Sequence, residues 1–190
     1  EDIKGNVDES ISQIEEIAKN KKVVAIGEIG LDYYWNKENK ELQKEVFIKQ
    51  IEIANKLDLP IVIHTRDAFI DTIEILKQNK VNKKGIFHCC PLNQELVKEA
   101  VKLGYYISLS GVITFKNVKN VEEILSLIPE DKLLIETDSP YLSPEPYRGK
   151  RNNSMNVKYV AEKIAKIKNK ETEEIAEITN ENAKRIFNIG

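Results

Sequence analysis

The chain has 190 residues, 41% of them hydrophobic, which is enough for one domain with a sizeable core and too little to suggest two. Its 29 basic and 31 acidic residues leave a formal net charge of -2, so no global field draws it to nucleic acid or to a membrane, and any polyanion binding must be local. The longest apolar runs, at residues 23–26 and 59–63, fall far short of the roughly 20 residues a spanning helix needs, so no membrane association is expected.

The only two cysteines, Cys89 and Cys90, are neighbours and cannot form a disulfide framework, and no charged segment followed by an apolar one opens the chain. A cytoplasmic setting is expected, and nothing points to an obligate protein partner. The first residues, Glu1-Asp2-Ile3-Lys4-Gly5, lack an initiator Met and run straight into a helical pattern, a start that reads as cut.

In chain order, Ile11, Ile14, Ile17 and Ala18 recur at helical spacing before the β-branched run Val23-Val24-Ala25-Ile26-Gly27-Glu28, which reads as a strand. A helix over about 40–56 carries Leu42, Val46, Phe47, Ile51 and Ala54, and the strand Leu59-Pro60-Ile61-Val62-Ile63-His64 follows. The alternation continues with a helix over 69–78, the strand Gly85-Ile86-Phe87-His88, a helix over 94–103 and a strand over 105–109. A helix over 121–127, a strand over 133–138, and helices over 156–167 and 172–187 complete it.

Strands apolar on both faces and separated by amphipathic helices require crossover connections, so the class is α/β with a parallel sheet. Residues 1–190 read as a single catalytic domain. Five strands fit either an open doubly wound sheet or part of a (β/α)8 barrel, and periodicity does not separate the two.

Glu28, His64, His88 and Asp138 each fall at the C-terminal end of a predicted strand, the edge where parallel α/β folds bind ligands. Imidazoles and carboxylates together are ligands for divalent metals, and such a cluster would titrate awkwardly without a cation. Taken singly, each has a plainer explanation as a satisfied structural histidine or a helix-capping carboxylate.

The segments Gly27-Glu28-Ile29-Gly30-Leu31-Asp32-Tyr33, Ile63-His64-Thr65-Arg66-Asp67-Ala68, Phe87-His88-Cys89 and Glu136-Thr137-Asp138-Ser139-Pro140-Tyr141-Leu142 resemble, in order, the signatures of the TatD-type metal-dependent deoxyribonucleases. The resemblance covers essentially the whole chain. It implies a TIM-type (β/α)8 barrel, present here incomplete with about five parallel strands, the fourth to eighth of eight. An upstream strand ending in His-x-His belongs to the family and is not in this sequence. The loop Cys90-Pro91-Leu92 departs from the family, which has an aromatic after the first Cys and then a small residue and Gly.

By the same resemblance, Glu28 corresponds to a carboxylate bridging two divalent ions (Mg, Mn or Zn), His64 and His88 to the imidazoles of one ion, and Asp138 to a ligand of the other. One site is thus largely intact. Two bridged ions suit phosphodiester hydrolysis, with Asp138 as candidate general base and Glu28 as the second catalytic carboxylate.

Arg66 and the loop Arg148, Lys150, Arg151 and Asn152 are candidate phosphate contacts for a DNA substrate, although a solvated basic loop and pairing of Arg66 with Asp67 or Asp32 are the plainer readings. Tyr33, Tyr34 and Trp35 could stack on a base or pack against a helix. Glu136, two residues before Asp138, is expected to support the site or to partner a basic residue.

The resemblance implies cleavage of DNA, 3'-to-5' exonuclease action included. Related barrels hydrolyse other esters and amides, so a deacylase or amidohydrolase is the enzyme alternative, and an inactive metal-binding fragment is the non-enzyme one.

Overall fold

A computed structural model describes residues 6–35 and 37–190; the opening residues 1–5 lie outside them. Two compact units are present, one comprising residues up to Ile86 together with Ile186–Ile189, the other Phe87–Arg185 with Gly190.

In the first unit, α1 (Val7–Ala18) starts where the Asn6 side chain accepts the Asp8 backbone N–H at 3.0 Å, satisfying one of the donors that a helix start leaves over. Next come β1 (Ile26–Asp32), α2 (Lys40–Lys56), β2 (Ile61–Arg66) and α3 (Phe69–Gln78). β1 and β2 are parallel, with Ile29 opposite Ile63, Gly30 opposite His64 and Asp32 opposite Arg66. Their core faces bury Leu31, Ile61 and Ile63, and α2 contributes Phe47, Ile51 and Ala54.

β1 begins three residues later than the apolar run predicts and continues past Glu28. Val24 is exposed, whereas Ile26, Ile29 and Leu31 are buried, so burial and pairing rather than β-branched content set the strand. Gly30 has φ +134°, and a Cβ there would stand 2.1 Å from the His64 carbonyl oxygen. Glycine therefore permits the close approach of β1 to the backbone of His64. β3 (Gly85–Phe87) enters this unit beside β2, where the Ile61 N–H donates to the Lys84 carbonyl at 3.0 Å.

In the second unit, the Phe87 ring meets Tyr105 edge-on at 5.6 Å. There follow α4 (Gln94–Lys102), capped by Asn93, then β4 (Tyr106–Leu109), α5 (Val121–Leu127) and β5 (Leu133–Ile135). β4 is buried along its whole length and pairs parallel with β5, Ile107 opposite Leu133 and Leu109 opposite Ile135.

α6 (Val157–Lys168) and α7 (Thr172–Phe187) close the chain. The Asn182 amide of α7 donates to the carbonyls of Glu130 at 2.6 Å and Leu133 at 2.8 Å, which ties α7 to the start of β5. The class is α/β with parallel strands, as the alternation predicts. Among the described residues no helix is long and apolar enough to cross a membrane.

β5 is shorter than the predicted strand 133–138. Glu136 still donates its N–H to the Leu109 carbonyl at 3.0 Å, but two residues on Asp138 takes φ +57°, where an aspartate is tolerated better than most side chains and no ladder can continue.

Candidate metal centre

In the first unit, Glu28 is an exposed residue of β1 at the point where the register with β2 is irregular, between Ile26 and Ile29. A bulge of this kind re-aims a side chain without ending the strand. His64 lies in β2, and its Nε2 is 3.0 Å from Asp32 Oδ2. The other oxygen of Asp32 accepts the backbone N–H groups of Tyr34 at 2.9 Å and Trp35 at 3.1 Å.

Burial pushes the Asp32 carboxyl up, but the donors from Trp35, His64 and Tyr34 together outweigh it and hold the group below the ordinary aspartate value. From α2, the Gln43 amide accepts the Asp32 N–H at 2.8 Å and donates to the Asp32 carbonyl at 3.1 Å, so the backbone of Asp32 is held as well as its side chain. The Arg66 guanidinium lies 3.8 Å from the centre of the Tyr34 ring and 5.6 Å from that of Trp35, stacking on the aromatic pair.

In the second unit, His88 directly follows β3. Its Nδ1 is 2.8 Å from Glu136 Oε1 and its Nε2 is 3.7 Å from Asp138 Oδ1. The Oε1 contact is close without meeting hydrogen-bond geometry. Burial raises the Glu136 carboxyl, and the imidazole of His88, the Ser108 hydroxyl and the Cys89 backbone N–H bring it below the ordinary glutamate value. Glu136 is thus a half-buried partner of the His88 ring, in the supporting place expected of a residue two positions before Asp138.

His88, Glu136 and Asp138 each offer a donor atom within 4.8 Å of the others. His88 Nε2 and the Asp138 carboxylate suit a divalent cation, and the half-buried Glu136 against the other ring nitrogen is the arrangement that orients a ligating histidine. The donor chemistry therefore fits a metal ion.

The loop after Asp138 divides into two roles. Arg148, Lys150 and Arg151 are exposed. The Arg148 guanidinium lies 3.7 Å from the centre of the Phe115 ring, and Nη1 reaches the Ser143 carbonyl at 3.4 Å. Asn152, expected to touch substrate, is buried at 4% exposure and engaged within the chain. Its amide donates to the carbonyls of Thr137 at 2.8 Å and Tyr141 at 2.7 Å and accepts from Asn156 Nδ2 at 2.8 Å. It holds the loop in shape.

Tyr33 packs inward and donates its hydroxyl to Asp71 at 2.6 Å, whereas Tyr34 and Trp35 are 50% and 69% exposed. The thiol of Cys90 is buried and pushed up, an inert structural residue, while Cys89 Sγ lies 3.1 Å from Ser110 Oγ.

Imidazoles and carboxylates carried on parallel strands or just beyond their ends make a candidate metal centre in an α/β fold. The family described as TatD related DNase matches residues 1–188. The metal-dependent hydrolase YabD of Bacillus subtilis, described as uncharacterized, is 51% identical over 96% of this chain and 72% of its own length. YcfH of Escherichia coli K12, described in the same words, is 43% identical over 94% of this chain and 68% of its own. The crystal structure of YjjV, a TatD homologue from E. coli, superposes with a TM-score of 0.90 at 27% identity, over 96% of this chain and 71% of that one, and its fold is of the TIM-barrel type. The chain therefore belongs to the TatD family of metal-dependent hydrolases.

Asp32 was not singled out from the sequence as part of the site. Its signal is a carboxylate four residues beyond Glu28 that is followed by two backbone donors in a turn, a pattern that Asp favours for turn geometry alone.

Proposed function

We propose that the chain is a deoxyribonuclease that hydrolyses phosphodiester bonds with two divalent ions, Mg, Mn or Zn. The observation that carries this reading is the His88–Glu136–Asp138 cluster, in a chain of a family described as TatD related DNase. By the family pattern, Glu28, His64, His88 and Asp138 would hold the ions. When bound, the ions polarise the phosphate and lower the pKa of the attacking water.

Asp138 accepts the proton of that water, and His88 keeps its Nε2 beside the Asp138 carboxylate because Glu136 holds Nδ1. Arg66, Arg148, Lys150 and Arg151 offset the charge of flanking phosphates, a local basic set on a chain whose net charge is -2. DNA is the substrate, with 3'-to-5' exonuclease action. Adjacent Cys89 and Cys90, not joined in a disulfide, are consistent with a cytoplasmic setting.

The test compares a labelled single-stranded oligonucleotide with a carboxylic ester and an N-acyl amide, each with Mn2+ present. DNA is expected to be cleaved, with binding that weakens steeply between about 50 and about 200 mM salt. Arg148→Ala and Arg151→Ala are each expected to flatten the salt slope by about one unit. Faster turnover of the ester or amide, with no response to salt or to these substitutions, would instead make the protein an amidohydrolase.

A further inference from the structure

Asp32 holds two different partners with its two carboxylate oxygens. Oδ2 meets His64 Nε2 at 3.0 Å, while Oδ1 receives the N–H groups of Tyr34 and Trp35, and Gln43 pins the backbone of Asp32 from both sides. With Nε2 engaged by a carboxylate, ligation of a cation by His64 falls to Nδ1. A carboxylate against the other ring nitrogen also selects one tautomer and raises the basicity of the ligating nitrogen.

We infer that Asp32 is a positioning residue of the metal centre: it directs Nδ1 of His64 to the ion and, through its second oxygen, seats the exposed Tyr34–Trp35 turn beside the same ring. This rests on the metal reading proposed above. It assigns to Asp32 neither contact with substrate nor ligation of the ion. The Arg66 guanidinium, stacked on Tyr34, shares that turn, so a group bound there lies next to the orienter of a metal ligand.

Two substitutions separate the two oxygens. Asparagine keeps an oxygen for the Tyr34 and Trp35 donors but removes the charge facing His64, whereas alanine removes both functions. Trp35 is the only tryptophan, so its emission in the metal-free protein reports the turn alone.

Asp32→Asn is expected to leave that emission unchanged and to weaken Mn2+ binding, measured by calorimetry with the metal alone, by about 10- to 100-fold. Asp32→Ala is expected to weaken Mn2+ binding similarly and also to shift the Trp35 emission. In a His64→Ala background, Asp32→Asn is expected to cost no further affinity, because Asp32 acts through that ring.

Equal Mn2+ affinity of Asp32→Asn and the unaltered protein would overturn the inference and leave the metal reading standing. An additive loss in the His64→Ala background would overturn it too. If the unaltered protein binds neither Mn2+ nor Zn2+, the metal reading falls and the inference falls with it.

Discussion

Each predicted metal-binding histidine has a carboxylate against one ring nitrogen, Asp32 for His64 and Glu136 for His88, and this pairing governs the chemistry at the residue scale. A carboxylate so placed favours ligation through the opposite nitrogen, Nδ1 in the first case and Nε2 in the second. Asn152 shows the contrasting use of a polar side chain. Buried and bonded to two loop carbonyls and to Asn156, it cannot be replaced by an apolar residue without stranding those groups. Asn152→Leu is expected to lower stability by about 1–3 kcal/mol in urea unfolding. Exposed Lys150→Ala should stay within about 0.5 kcal/mol. Unchanged stability of Asn152→Leu together with lost DNA binding would return Asn152 to the substrate site.

At the scale of elements, α2 and α3 are joined through Asp71, which accepts from Tyr33 at 2.6 Å and pairs with Lys44 at 2.8 Å. Lys44 first, then the Tyr33 hydroxyl, hold the Asp71 carboxyl below the ordinary aspartate value, against burial. A carboxyl depressed on folding contributes stability that is fully present above the unfolded-state aspartate range and is lost as pH falls through the folded value. Asp71→Asn is expected to cost about 1 kcal/mol at neutral pH, with the variant and parent converging as the pH drops below that range. A difference that persists undiminished in acid would mean that shape, not charge, matters at Asp71.

The same elements show what could be read from the sequence. Alternating helical and strand periods place the five strands and seven α-helices of the described residues, because burial of an apolar face leaves a local trace. Strand ends leave a weaker one. Val23 and Val24 look like strand residues yet precede β1, and the apolar content through Ile135 does not reveal that Asp138 turns to positive φ. The four signature segments identify the family and its expected ligands, but Asp32–His64 and Glu136–His88 join residues far apart in sequence, and no periodicity carries such a contact. The burial of Asn152 was hidden for a related reason: its neighbours Arg148, Lys150 and Arg151 are exposed, and composition assigns the whole loop to solvent.

For the molecule as a whole, a net charge of -2 means that any attraction to a polyanion must arise locally rather than from a general positive field. Under the proposed function, cleavage depends on bound metal. The most direct measurement is cleavage of a labelled single-stranded oligonucleotide by chelator-stripped protein, before and after Mn2+ is returned, alongside Asp138→Asn and Glu28→Ala. No cleavage is expected after stripping, with recovery on return of Mn2+, a loss of about 10²–10⁴-fold in Asp138→Asn even with Mn2+ in excess, and impairment of Glu28→Ala as well. Full activity in the stripped protein, or undiminished Mn2+-supported cleavage by both variants, would contradict the proposed function.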